Sequence, residues 1–222
     1  MFQITPSASA AKVIANDNCF QVCFTDPNQG TASADYIASK GLATKVAVIY
    51  NSSDAYSSGI YDNFKAEAAA KGLDIVASEA FTGDSKQDFS SQLSKVKASG
   101  AELIFLPIYY QEASLILSQA KNAGITAKFF GCDGLDGLLN IENFDKSLAE
   151  NVMLLTPFAA NATDETTKKF VAAYNAKYDP STLNQFAADA YDAVYVVKAA
   201  AEKAGVTGDM SVSDICNALK EP

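Results

Sequence analysis

No histidine occurs among the 222 residues, which removes the commonest general acid–base and the usual partner of a serine or cysteine nucleophile. It also removes a frequent metal ligand. Phosphate signatures are missing too, since neither G-x-G-x-x-G nor G-x-x-x-x-G-K occurs. Basic residues are few: 17 Lys and Arg stand against 26 Asp and Glu, a formal net charge of −9 with a pI near 4.5. Nucleic-acid phosphates need a basic face, and no Lys/Arg stripe supplies one. No apolar run approaches the ~20 residues of a membrane helix, so membrane insertion is not expected. Met1–Pro6 lacks the basic and apolar regions of a signal peptide. Taken alone that reads as cytoplasmic, and a missing true N-terminus gives the same result. There is no internal repeat or low-complexity tract.

Four cysteines are present: Cys19, Cys23, Cys132 and Cys216. Cys19 and Cys23 sit in a run that reads as extended, which puts them ~13 Å apart at ~3.3 Å per residue, beyond the ~7 Å reach of a disulfide. They read as buried or incidental thiols. No catalytic residue, metal or cofactor is expected.

What is present is a β/α series. Apolar content of 49% with 19% charged residues fits a globular chain long enough for one large or two small domains. Four short runs, Lys45–Tyr50, Asp74–Ala77, Glu102–Leu106 and Lys128–Gly131, are nearly continuous in hydrophobicity. Strands read this way when helices cover both faces of their sheet. Helical patterns separate them: Ser57–Lys71 with Ile60, Phe64 and Ala68 inward; Gln87–Ala98 with Phe89, Leu93 and Val96; Gln111–Ala123 with Leu115/Ile116, Gln119 and Ala120. Gly72, Gly100 and Gly124 fall where helices end in a left-handed residue. The alternation predicts right-handed crossovers and a parallel sheet.

The flanks are looser. Phe2–Ile4 and Phe20–Phe24 read as extended pieces without visible partners, and Thr5 or Ser7 as a helix start. A helix over Asn28–Ser39 is expected with Ala32, Tyr36 and Ile37 inward. After Asp133 come a loop with a short helix near Leu138–Phe144, a fifth strand over Val152–Thr156, and helices from Thr163 or Asp164 to Tyr178, Asn184 to Ala204 and Val212 to Lys220. The second of these carries Ala187, Tyr191, Val194, Val197 and Ala201 on its apolar side. Three successive helices need a sheet to cover, and little of one is present. The composition shift suggests lobe boundaries near 24–27 and 156–162.

Parallel sheets bind ligands beyond the carboxyl ends of their strands. There stand Asn51, Ser52, Asp54 and Tyr56 after the first run, Tyr109 and Tyr110 after the third, and Cys132 and Asp133 after the fourth. Asp133, between Gly131 and Gly134, reads two ways: a carboxylate for an ammonium or hydroxyl, or an Asx-turn residue. The tyrosines are pocket walls or cover for a sheet edge, with one of Tyr109 and Tyr110 facing the crevice. Thr5–Ser9 is a cradle of hydroxyls and N–H groups for a carboxylate, or a capped helix. A catalytic or magnesium-binding pair of Asp54 and Asp133 lacks the Lys or Ser/Thr that phosphotransfer would require.

The ordered set Ile4-Thr5-Pro6-Ser7-Ala8-Ser9, Phe24-Thr25-Asp26-Pro27-Asn28-Gln29-Gly30, Val46–Tyr50 with Asp54–Gly59, Asp88-Phe89-Ser90, Phe130–Gly134 and Ala190–Val194 resembles the type I periplasmic binding proteins. More narrowly, it resembles the leucine/isoleucine/valine-binding receptors of branched-chain amino-acid ABC importers. The resemblance covers nearly the whole chain. It implies an α/β, two-lobed fold of parallel β/α/β sheets, with residues 25–156 as the second lobe and 1–24 with 157–222 as an incomplete first lobe. It implies a fragment whose full-length form is extracytoplasmic, in the periplasm or as a cell-surface lipoprotein. The partners it implies are a small amino-acid ligand clamped between the lobes and an ABC transporter permease. Residue by residue, Ser7 and Ser9 match the turn that holds the α-carboxylate and ammonium, Tyr56 and Tyr109 match second-lobe contacts, and Phe186 matches a side-chain pocket position. Asp133 matches the acid that neutralises the ammonium, which is Glu in many relatives and so reaches further there.

Alternatives are the same fold holding an amide, urea or aromatic acid, the same fold as a ligand sensor, and a doubly wound α/β hydrolase. Asp133 favours an ammonium-bearing ligand over a neutral amide. The hydrolase is disfavoured by the lack of histidine, nucleophile elbow and phosphate loop.

Overall fold

Short series of β-branched and aromatic residues pack on both faces of a sheet, and here they do so around one central pair of strands. A computed structural model describes residues 1–220 of the chain. In chain order the strands are β1 (Gln3–Thr5), β2 (Cys19–Gln21), β3 (Lys45–Asn51), β4 (Asp74–Phe81), β5 (Leu103–Leu106), β6 (Lys128–Gly131) and β7 (Val152–Leu154). The helices are α1 (Asp26–Ser39), α2 (Ala55–Lys71), α3 (Ser90–Ser99), α4 (Tyr110–Asn122), α5 (Glu165–Asn175), α6 (Gln185–Lys203) and α7 (Val212–Lys220). The chain divides into two compact units, one spanning Asp26–Thr156 and the other formed by Met1–Thr25 with the chain from Pro157 onward.

The 26–156 unit is a parallel sheet in the order β4-β3-β5-β6-β7. From β3 the chain crosses through α2 to β4 on one side, then returns through α3 to β5 on the other. The order therefore reverses at β3, and the carboxyl ends of β3 and β5 flank the crevice that such a reversal opens. Side chains of β3 and β5 alternate between two cores. Val46, Val48, Leu103 and Phe105 face Ile37 of α1 and Ile60 and Phe64 of α2. Ala47, Ile49, Ile104 and Leu106 face Leu93 and Val96 of α3 and Ile116 and Ala120 of α4. Burial on both faces is what made these runs continuous in the sequence. Gly72, Gly100 and Gly124 adopt the left-handed conformation at helix ends, as expected.

Several local expectations are corrected. The stretch from Gln87 to Phe89 is not helical: Phe89 N–H donates to Gln119 Oε1 at 2.7 Å, and Gln119 Nε2 donates to the Gln87 carbonyl at 2.9 Å. A side chain of α4 thus holds it out of the helix, and α3 begins at Ser90. The 74–77 run continues to Phe81 as an edge strand. The short helix near 138–144 is a 3₁₀ turn at Leu138–Asn140, and Asn143 at φ 61° ends any helical run. In α1, Tyr36 lies outward at 43% exposure, while Asp26, Gln29 and Ser33 are buried. The inward face of this helix is partly polar, which apolar periodicity cannot show.

In the other unit β1 and β2 pair with each other in parallel, Gln3 opposite Cys19 and Thr5 opposite Gln21. The early strand therefore has a partner, and Phe2 stacks on Phe20 at 5.1 Å. No helix starts at Thr5 or Ser7: Thr5 Oγ1 accepts from Ala8 N–H at 3.0 Å and closes a turn instead. The first helical residues form a single 3₁₀ turn, Ala11–Ile14. Helices α5 and α6 begin at side-chain caps, Asp164 accepting from Thr167 N–H and Asn184 from Ala187 N–H. Tyr191 and Val194 of α6, expected inward, are exposed, and its buried positions are Gln185, Ala188, Asp189 and Ala193. Val194, Tyr195 and Val196 are 67%, 52% and 50% exposed. Two strands of three residues cannot cover three helices.

Candidate functional site

Three loops at the carboxyl end of the parallel sheet converge. After β3, the Asp54 side chain accepts from Ser57 N–H at 3.1 Å and caps α2. That uses Asp54 as a helix cap and places Tyr56 in the first turn of α2. After β5, Tyr109 keeps extended backbone just before α4. After β6, Asp133 opens a 3₁₀ turn, Asp133–Leu135.

The three side chains meet. Tyr56 donates its hydroxyl to Asp133 Oδ1 at 2.6 Å, a charge-assisted length when the acid is ionised. The same hydroxyl accepts from Gly134 N–H at 2.9 Å. The rings of Tyr56 and Tyr109 stack with centroids 4.8 Å apart. Gly134 makes this possible: a Cβ there would lie 2.7 Å from the Tyr56 hydroxyl and 2.8 Å from the Ile108 carbonyl oxygen. Of the two adjacent tyrosines, Tyr109 joins the cluster, while the Tyr110 ring covers Gly137.

Tyr56 is buried and Tyr109 is 43% exposed at the edge of an electronegative cluster. Asp133 is 4% exposed. Burial raises its pKa, the Tyr56 hydroxyl, the Gln29 amide and Gly134 N–H pull it back, and Asp136 pushes it up again. Burial also drives the Tyr56 phenol well above its usual range, with Cys132 and Asp133 adding to the shift. Tyr109 is pushed up to about 12, first by burial and then by Asp54, Asp133, Asp26 and Glu112. A buried acid bonded to the hydroxyl of one ring, with a second ring stacked on the first, suits a cation. Among the described residues no three Cys, Asp or Glu side chains are grouped as a metal ion would need. No helix among them is long and apolar enough to cross a membrane.

The structure brings together Tyr56, Tyr109 and Asp133. Ser7, Ser9 and Phe186 belong to the other unit. Ser7 is exposed and Ser9 buried in the turn after β1, and Phe186 is partly buried in the first turn of α6, which packs on β1. Sequence reasoning did not single out Gln29 as a site residue. This side chain of α1 is fully buried and accepts from Asp133 N–H at 3.2 Å through Oε1. Its sequence signals are its place in the Phe24–Gly30 motif and its spacing, since Gln29 shares a helix face with Asp26 and Ser33.

Residues 2–221 match the periplasmic binding protein family. The Leu/Ile/Val-binding protein homolog 3 of Brucella melitensis is 33% identical over 212 residues, 94% of this chain and 56% of that protein. Among solved structures, the branched-chain amino acid transporter substrate binding protein LivJ of Streptococcus pneumoniae, in complex with isoleucine, superposes with a TM-score of 0.83 at 30% identity. It covers 97% of this chain and 60% of that one. The leucine binding protein LivK of Thermotoga maritima gives a TM-score of 0.84 at 28% identity, again covering 97% and 60%. The chain thus spans between 56% and 60% of the length of these relatives.

Proposed function

Because this chain belongs to the periplasmic binding protein family, we propose that it is the larger part of an extracytoplasmic substrate-binding protein that captures an aliphatic amino acid and delivers it to an ABC transporter permease. In this reading residues 26–156 are the second lobe, and the rest of the chain belongs to the first. A zwitterion leaves water only if both its charges are met by charge-assisted hydrogen bonds. Asp133 takes the ammonium, Ser7 and Ser9 take the carboxylate, Tyr56 and Tyr109 wall the ligand, and Phe186 meets its side chain.

The observation that carries the reading is the Tyr56–Asp133 hydrogen bond of 2.6 Å, with Tyr109 stacked on the same tyrosine ring. It fixes a buried acid with one hydroxyl donor at the place where a parallel sheet reverses its strand order. The reading also draws support from relatives named for leucine, isoleucine and valine binding.

Calorimetric titration of leucine, isoleucine and valine into the protein with both lobes complete tests it. Saturable heat with at least one of them is the expected result. Silence with every proteinogenic amino acid, together with binding of a neutral amide, would refute the amino-acid assignment.

A further inference from the structure

The face that α1 turns inward is polar where a core helix is normally apolar. Asp26, Gln29 and Ser33 recur at i, i+3 and i+7 and are 2%, 0% and 0% exposed. Burying such groups costs stability unless they are used. Two of them engage the loop that carries the acid. Gln29 Oε1 accepts from Asp133 N–H at 3.2 Å, and Ser33 Oγ lies 3.6 Å from Cys132 Sγ. Asp133 is therefore gripped from two helices, by Tyr56 of α2 at its carboxyl group and by Gln29 of α1 at its backbone.

We propose that Gln29 is a positioning residue for ligand binding: by accepting from Asp133 N–H it fixes the 132–134 loop, and so holds the Asp133 carboxyl group where the ligand's cation is received. The proposal rests on the reading of Asp133 as the ammonium's partner. Of the titratable groups around Asp133, Tyr56 also favours its ionised form, through its hydroxyl. Asp136 opposes ionisation, and Asp26 from α1 and the neighbouring Cys132 thiol are acidic groups in the same surroundings. Tyr56 of α2 donates its one proton, and Tyr109, before α4, is a phenol whose own ionisation Asp133 disfavours. The amide of Gln29 adds a dipole without a charge, so it eases ionisation while leaving the negative charge available. The amide acts on the Asp133 carboxyl in the sense that lowers its pKa.

Titration of the Asp133 carboxyl carbon by NMR, in the chain labelled at aspartate Cγ, reads this directly. Gln29→Met removes acceptor and donor together, whereas Gln29→Glu keeps an acceptor for Asp133 N–H and adds a negative charge. The expected order of midpoints is parent lowest, Gln29→Met higher and Gln29→Glu highest. Midpoints unchanged in both variants, with circular dichroism showing each folded, would overturn the proposal. In the protein with both lobes complete, Gln29→Met should weaken leucine binding roughly 5- to 150-fold, the cost of one lost buried hydrogen-bond partner. It should add no further loss on an Asp133→Asn background. Equal losses in both backgrounds would mean that Gln29 acts independently of Asp133, against the proposal. If Asp133→Asn itself leaves leucine affinity intact, the ammonium reading fails separately, and the carboxyl titration still decides the role of Gln29.

Discussion

Two glycines in the helices that hold the acid should respond to alanine in opposite directions. Gly30 lies inside α1 and Gly59 inside α2. A Cβ on Gly30 would sit 2.4 Å from the Ile60 carbonyl oxygen and 2.7 Å from Phe64 N, both backbone atoms of α2. Ordinary contact begins at 3.4 Å, so α1 must retreat by about 1 Å, and no flexible side chain can yield in its place. Overpacking of this kind costs about 3 kcal/mol, the upper end of its usual range. Alanine regains about 1 kcal/mol of helix propensity, leaving a net loss of about 2 kcal/mol. With a urea dependence of about 2 kcal/mol per molar, the midpoint for Gly30→Ala should fall by about 1 M. A Cβ on Gly59 would meet the Asp26 side chain at 3.5 Å, ordinary contact. There the propensity gain acts alone and should raise the midpoint by about 0.5 M. Urea unfolding followed by far-ultraviolet circular dichroism measures both. A Gly30→Ala midpoint at or above that of the parent would show that the α1–α2 crossing is looser than described. The support that α1 gives Asp133 through Gln29 would be loose with it.

Two further outcomes concern titrating groups. The pKa of Asp133 is raised by burial, so the folded chain binds more protons than the unfolded one between the ordinary carboxyl value of about 4 and the folded value. Its contribution to stability is thus fully present below pH 4 and lost as pH rises through the folded pKa. Asp133→Asn should flatten unliganded stability across that window, measured by urea unfolding at a series of pH values, and weaken leucine binding by about 2–5 kcal/mol. An unchanged affinity would remove Asp133 from the site. Cys132 is fully buried and its thiol is pushed up by burial, so alkylation of the native chain, mapped by mass spectrometry, should label the half-buried Cys19 and Cys216 well before Cys132.

The strands were legible in the sequence because burial on both faces leaves no polar interruption. Val46 through Ile49 and Leu103 through Leu106 are wholly inaccessible, and both runs were read as strands. The helix ends were legible because Gly72, Gly100 and Gly124 are needed for their left-handed backbone. The misread parts depend on contacts that no local window contains. Residues 87–89 leave the helical pattern because Gln119, some thirty residues later, holds their backbone. The β1–β2 pair is a parallel pairing across an intervening loop, for which sequence offers no turn signal. Tyr191 and Val194 follow a 3.6-residue period and yet lie outward. Of the candidate site, Tyr56, Tyr109 and Asp133 were reachable from strand tips alone. Gln29 was not, because an apolar-periodicity search passes over the polar side of a buried helix.

That polar side distinguishes Asp133 from the other buried acid whose partner is an ordinary cation. Glu112 has Lys86 at 3.4 Å, a formal charge that answers its own. The groups that favour ionisation of Asp133 are instead a hydroxyl, an amide and a backbone N–H. Dipoles of this kind reduce the penalty of charging a buried carboxyl group but do not cancel its charge. A lysine in their place would give a more stable unliganded protein with nothing left to attract a cation. The 26–156 unit has two large apolar cores to offset the burial of Asp26, Gln29, Ser33 and Asp133. A local conflict of this sort, set in an otherwise consistent fold, is where function is expected to reside. A ligand ammonium that pairs with Asp133 should, once bound, make this part of the fold more stable than it is alone.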